Sequence, residues 1–158
     1  MVNTYYCELY RLADIDAEHP RLEPVRLEHV LHSDGCAVSA VMGHYLLLPA
    51  ASAHDVVSFD VSDPAHPREV SALHLDTLFF PHWISVDSTS DRIVVSSSEV
   101  GDPRIVIAQL DRNMGALSRD AAFQEKGAAK PGVSFDHDPW RHAGKAPIAH
   151  AAIFGTVR

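Results

Sequence analysis

Apolar residues fall in short runs along the chain, separated by polar, turn-forming segments. Trp83–Val86 and Ile93–Val95 flank the polar stretch Asp87–Asp91, a pattern that predicts a β-hairpin. AVSAVMGHYLLLPAA (37–51) reads as an apolar strand, a short turn and a second strand. VVSFDVS before Asp63 and RIVIAQL before Asp111 read as strands that run into turns. Asp at a turn start caps nearby backbone N–H groups, and Pro64 presets φ at the following position. No helical periodicity extends beyond two turns, and only Ala121–Ala129 could form a short helix. The pattern is all-β.

The runs also repeat. DAEHPR (16–21) and DPAHPR (63–68) lie 47 residues apart, and a weaker copy begins at Asp111, 48 residues further on. The second half of the unit recurs as residues 37–51, as HWISVDSTSDRIVVSSS (82–98), and as the truncated HAAIFGTVR (150–158). One unit therefore holds four short antiparallel strands, here a, b, c and d. Units of roughly 45 residues with four strands are the signature of a β-propeller blade. The expected organisation is a single partial propeller, with a part-blade over 1–30, full blades over 36–76 and 81–123, an inserted loop over 124–146, and the first strand of a next blade over 147–158. The insertion shows in the spacing: Asp63 to His82 is 19 residues, whereas Asp111 to His150 is 39. Its Gly, Pro, Lys and His content reads as a long loop.

Met1 aligns with Leu48, inside strand b, so the chain carries about three blades' worth of sequence, an incomplete ring. A closed propeller needs at least about four blades. Two readings stay open: a fragment of a longer propeller protein, or a homodimer in which two chains close a six-bladed ring. In the second, the C-terminal strand a of each chain completes the partner's part-blade.

Composition narrows the function classes. An apolar share of 46% is that of a folded domain. A net charge of −8 repels phosphate backbones, which excludes nucleic acid as an expected partner. No apolar run has the length of a membrane span, and the N-terminus lacks the regions of a signal peptide. The two cysteines, Cys7 and Cys36, form no disulfide framework by count, with Cys7 expected on a strand. A cytoplasmic setting is the simplest expectation.

Eleven histidines are the unusual count. In a propeller the strand-a approaches converge on the central channel. His82 and His150 hold that place in successive units, where Ala37 stands in the earlier one. They are thus expected close together despite 68 residues of separation. Two neutral imidazoles at one channel are the start of a site for a transition metal (Cu, Zn or Fe). A third ligand is expected from the inserted loop, with His137 foremost and Asp136, Asp138 and His142 beside it. Trp83, next to His82 on a strand, should face the other way and pack between blades. Cys36, just before strand a, and Trp140, in the loop, are candidates for contact with a small-molecule ligand at the channel mouth. Cys36 is otherwise a buried, inert thiol. His19 and His66 belong to the repeated turn and are expected to make turn contacts. The serine run Ser96–Ser98 lacks a G-x-S-x-G elbow, and no phosphate loop, H-E-x-x-H or C-x-x-C motif occurs.

VVSFDVSDPAHPREVSALHL resembles the LVIVD-type propeller repeat. With PHWISVDSTSDRIVVSSS and AHAAIFG, it resembles propeller proteins of the selenium-binding protein (methanethiol oxidase) family over about residues 3–155. That resemblance implies a larger parent architecture of about seven blades. It also implies metal-dependent thiol oxidation by histidines near the channel. The family's selenium-linked cysteine motif has no equivalent in this chain. A non-catalytic binding or scaffold propeller is the alternative, and an inactive fragment of a longer propeller protein is a third.

Overall fold

The computed structural model describes residues 1–25, 35–99, 101–141 and 143–155. Among them are twelve strands in three antiparallel sheets and no α-helix. The first sheet contains β1 (Val2–Asn3), β2 (Leu9–Ala13) and β3 (Arg21–Val25), in that order. The second contains β4 (Ala40–Met42), β5 (Tyr45–Ala50), β6 (Asp55–Asp60) and β7 (Arg68–His74), each paired with the next. The third contains β8 (Pro81–Val86), β9 (Arg92–Ser97), β10 (Arg104–Leu110) and β11 (Leu117–Arg119), with β12 (Val133–Ser134) also paired to β10. Among the described residues no sheet closes on itself.

Local chemistry explains the hairpins. Gly43 at φ 64° opens the two-residue turn between Met42 and Tyr45, which face each other across β4 and β5. At Asp87–Asp91 the Asp87 carboxylate accepts hydrogen bonds from Thr89 N (2.9 Å), Thr89 Oγ1 (2.7 Å) and Ser90 Oγ (2.6 Å). Those donors favour its ionised form and hold its pKa down at about 2. Asp63 and Asp111 cap their turns in the same way, through Ala65 N and Asn113 N. His66 makes the expected turn contact, its Nδ1 2.8 Å from Asp63 Oδ2.

The second sheet is sandwiched, which accounts for the unbroken apolar run of β5: all six of its residues are buried. Leu46 and Leu48 face the first sheet, in a cluster with Cys7, Leu9, Cys36, Val57 and Phe59. Tyr45 and Leu47 face the third, in a cluster with Phe79, Ile84, Ile93, Val95 and Leu110. The inner strands of the second and third sheets run side by side, where Val38 and Trp83 form a parallel bridge.

Gly115, in the β10–β11 turn, sits where that turn meets the second sheet. It has φ +73°, and a Cβ there would lie 2.5 Å from Tyr45 Cε1 and 2.9 Å from Val70 Cγ1. Its carbonyl accepts a 2.6 Å hydrogen bond from the buried Ser58 hydroxyl. Gly115→Ala combines a left-handed backbone penalty of about 1–2 kcal/mol with overpacking. The expected loss is at least about 2 kcal/mol, read from the urea midpoint, and an unchanged midpoint would refute the close approach.

Three expectations are corrected. Residues 121–129 form turns: Ala122 N and Phe123 N donate to the Asp120 carboxylate, and Gly127 lies at φ 82°. Local capping and a left-handed glycine outcompete so short a helix. The insertion is not loop throughout, because Val133–Ser134 returns to pair with Arg104–Ile105. Residues 147–155 form no strand, since none of the strands among the described residues pairs with them in a ladder.

Candidate functional site

The approach to β8 carries the site. A bulge between Pro81 and Trp83 shifts the register against β9, so Pro81 faces Ser97 while Trp83 faces Ser96. The His82 carbonyl accepts a 3.0 Å hydrogen bond from Val38 N, which fixes this turn against the second sheet. The His82 and His150 rings meet edge-on with centroids 5.3 Å apart, so the two equivalent positions do converge. Trp83 also approaches His150, at 6.4 Å between centroids. Strict alternation would have separated His82 from Trp83. The bulge interrupts it, so both rings reach His150.

Burial lowers the His82 pKa, and the neighbouring His150 lowers it further. His82 is therefore neutral at pH 7, the form that binds a metal or accepts a proton. Two imidazoles this close can reach one ion through bonds of about 2.0–2.1 Å. Among the described residues no group of three or more His, Cys, Asp or Glu side chains is placed to hold a metal.

The third ligand expected from the insertion is not at this pair. His137 Nε2 lies 2.8 Å from Glu125 Oε1, a close charge approach with poor hydrogen-bond alignment. Its Nδ1 lies 2.8 Å from the Asp138 carbonyl. The Asp138 carbonyl, followed by the Glu125 carboxylate, raises its pKa against the effect of desolvation. A histidine held toward its protonated form by local partners is a poor metal ligand. Asp136 pairs with Arg141 at 2.7 Å. His142 lies outside the described residues. Trp140 packs edge-on against Phe135 with centroids 5.8 Å apart and anchors its own loop.

His82 also borders a cleft of about 320 Å³, whose lining includes Tyr5, Cys36, Ser52, Phe80 and Glu99. The volume is at the lower end for small-molecule sites. It opens where the approaches to β4 and β8 meet the turns after β1, β5 and β9. Cys36 lines it without a free thiol, because its sulfur is bonded to Cys7. This corrects both cysteine expectations. Cys7 is not on a strand; it sits at φ 62° in the β1–β2 turn, and its Cα lies 4.9 Å from that of Cys36. Gly35 N and Cys36 N both donate to the Tyr5 carbonyl at 2.8 Å, which draws the two segments together. With the bond formed, cysteine count no longer points to a reducing compartment. Among the described residues no helix is long and apolar enough to cross a membrane.

Sequence reasoning missed Arg104. Its buried guanidinium bonds Asp102 (2.5 and 2.7 Å), Asp76 (2.5 Å) and the Pro131 carbonyl (2.5 Å), and it lies over the Phe79 ring. The D-P-R spacing at 102–104 was the available signal.

No protein family model matches the sequence, nor does any curated protein. Among solved structures, the chain is similar in fold to the crystal structure of a hypothetical selenium-binding protein from Sulfolobus tokodaii. The TM-score is 0.54 at 15% identity, over 72% of this chain and 33% of that one. The chain thus spans about one third of the length of that protein. At this identity the likeness is one of fold.

Proposed function

We propose that this chain is a segment of a β-propeller that binds a small molecule at the mouth of its channel. His82 and His150 act there as paired imidazole ligands for a Cu, Zn or Fe ion. One observation carries this reading: the two rings lie 5.3 Å apart although they are remote in sequence and equivalent in the repeat. Blade-like antiparallel sheets and the fold likeness to a selenium-binding protein support it. Metal-assisted thiol oxidation is the specific activity we propose for the assembled protein. A bound metal would supply Lewis-acid or redox chemistry. The residues present contribute two imidazole ligands, a cleft of about 320 Å³ beside them, and the Trp83 ring against His150. Further ligands come from water, substrate or groups outside the described residues, and we derive no reaction step through the ion.

Titration of the metal-free chain with Zn(II) and with Cu(II), followed by calorimetry, tests the pair. His82→Ala and His150→Ala should each weaken binding by at least about tenfold, whereas His137→Ala should leave it unchanged. Binding should also fade as pH drops below the ordinary imidazole value of about 6.5, because protons compete for the ring nitrogens. Equal affinities in all four proteins would refute the metal site and leave the cleft as a binding site without one.

A further inference from the structure

A second pair of histidines lies outside the lining of the cleft, where β5 and β7 end and β6 begins. His54 closes the short turn Ala51–Ala53 in a left-handed conformation (φ 61°, ψ 27°), and its N–H donates to the Ala51 carbonyl (3.0 Å). Strand alternation would set residues 54 and 55 on opposite faces. The left-handed turn breaks it, and the His54 ring reaches that of His74, the cross-strand partner of Asp55. The two ring planes stand 87° apart, with centroids separated by 6.3 Å. Phe80 packs edge-on against His54 at 4.6 Å and limits its rotation.

Both rings are held by the same nitrogen. His54 Nδ1 lies 3.2 Å from the Phe79 carbonyl oxygen, and His74 Nδ1 lies 2.7 Å from Asp55 Oδ1. A carbonyl or carboxylate oxygen only accepts, so each Nδ1 carries the proton and Nε2 of each neutral ring keeps its lone pair. Neither Nε2 has a hydrogen-bond partner among the described residues. Metal-binding histidines are supported in this way. The N–H tied to a carbonyl or carboxylate fixes the tautomer and the ring orientation, and it raises the basicity of the ligating nitrogen. His66 supplies the contrast. Its Nδ1 also meets a carboxylate, that of Asp63 at 2.8 Å, but no second imidazole packs on it among the described residues.

We propose that His54 and His74 form a site for a divalent transition-metal ion, bound through both Nε2 atoms and oriented by the Phe79 carbonyl and the Asp55 carboxylate. Zn(II) and Cu(II) are the ions that imidazole pairs suit best, and water completes the coordination. Two imidazoles on one tetrahedral ion have centroids roughly 5 Å apart, given bonds of about 2.0–2.1 Å, so a ring movement of about 1 Å brings this pair onto one ion. His74 supplies that movement, because its side chain is 60% exposed at the end of β7. Arg119 reaches the His74 carbonyl at 3.4 Å, but its charge is paired with Asp76. An ion held here ties the end of β7 to the β5–β6 turn. The site shares no residue with the His82/His150 pair, so either reading can fail while the other stands.

The test uses the full chain carrying His82→Ala and His150→Ala, which removes the other pair. Titration with Zn(II), followed by calorimetry, should show one site. His54→Asn and His74→Ala should each weaken it at least tenfold, and asparagine tolerates the left-handed backbone at position 54. His66→Ala removes an exposed histidine–aspartate pair that lacks a second imidazole, and should leave the affinity unchanged. Circular dichroism checks the fold of each variant. With Cu(II) as the probe, the electron paramagnetic resonance spectrum should show splitting from two imidazole nitrogens, reduced to one by either single substitution. Made in the parent chain, His54→Asn should remove one Zn(II) equivalent, which keeps the test independent of how the doubly substituted chain folds. The proposal is overturned by absence of Zn(II) binding, by a loss with His66→Ala as large as with His54→Asn, or by a Cu(II) spectrum with a single imidazole nitrogen.

Discussion

Replacing both Cys7 and Cys36 with alanine is expected to lower the unfolding free energy by about 3–4 kcal/mol. The two cysteines are separated by 29 residues in sequence, and the expected value follows from the loop entropy that their bond removes from the unfolded chain. The effect is also local. The first sheet has three strands, and among the described residues its other contacts with the second include Leu9 and Val25 in the apolar cluster, Gly35 N and Cys36 N donating to the Tyr5 carbonyl (2.8 Å each), Asn3 Nδ2 to the Ala37 carbonyl (2.9 Å), and Ser39 Oγ to Asn3 Oδ1 (2.8 Å). Without the bond this sheet is the element that opens first. Urea unfolding of the double variant, and of the parent chain with and without reductant, gives the global value. Amide exchange should accelerate in Leu9–Val25 more than in Arg92–Leu110. Coincident urea midpoints, with a thiol assay confirming reduction, would show that the bond contributes nothing.

The legible parts of the fold are those set by local pattern. YLLLPA and RIVIAQL announce strands because burial on one or both faces dictates apolar spacing, and Gly43 and Asp87 announce their turns through backbone chemistry. Self-similarity makes residues 82 and 150 equivalent, and that equivalence places two sequence-remote histidines side by side. What stayed hidden depends on pairing. Residues 150–154 carry the pattern of a strand, but a strand exists only with a neighbour. The 121–129 stretch carries helix formers, but Asp120 capped its first N–H groups and Gly127 broke the rest.

The site divides along the same line. His137 lies against Glu125, and a sequence does not reveal which carboxylate a loop folds back on. The bulge at Pro81–Trp83 redirected Trp83 because one extra residue cancels the alternation on which its orientation was argued. Cys7 and Cys36 meet because two backbone N–H groups converge on the Tyr5 carbonyl, a tertiary contact without a local signature.

Arg104→Met should cost about 3–5 kcal/mol, the largest loss expected from a single substitution in the chain. The volume is nearly kept, so the loss is electrostatic. Arg104 is 6% exposed and Asp102 7%, and removal of the guanidinium leaves the Asp102 carboxylate buried without its counter-ion. Three segments also come apart: the start of β10, the β7–β8 connection at Asp76 and Phe79, and the insertion at Pro131. Arg104→Lys keeps the charge but not the fork that grips both Asp102 oxygens, and should fall between the two. The pH dependence separates this account from simple packing loss. Burial pushes the Asp76 pKa up, but the Arg104 hydrogen bond, with the charges of Arg119, Arg104 and Lys130, more than offsets it, and the net shift is downward. A carboxylate whose folded pKa lies below its unfolded value of about 3.9 stabilises fully above that value and loses the contribution as pH falls through the folded one. Arg104→Met relaxes that shift, so the stability gap between parent and variant should narrow as pH drops below about 4. A gap that stays constant from neutral pH into that acid range would assign the loss to packing and not to the ion cluster.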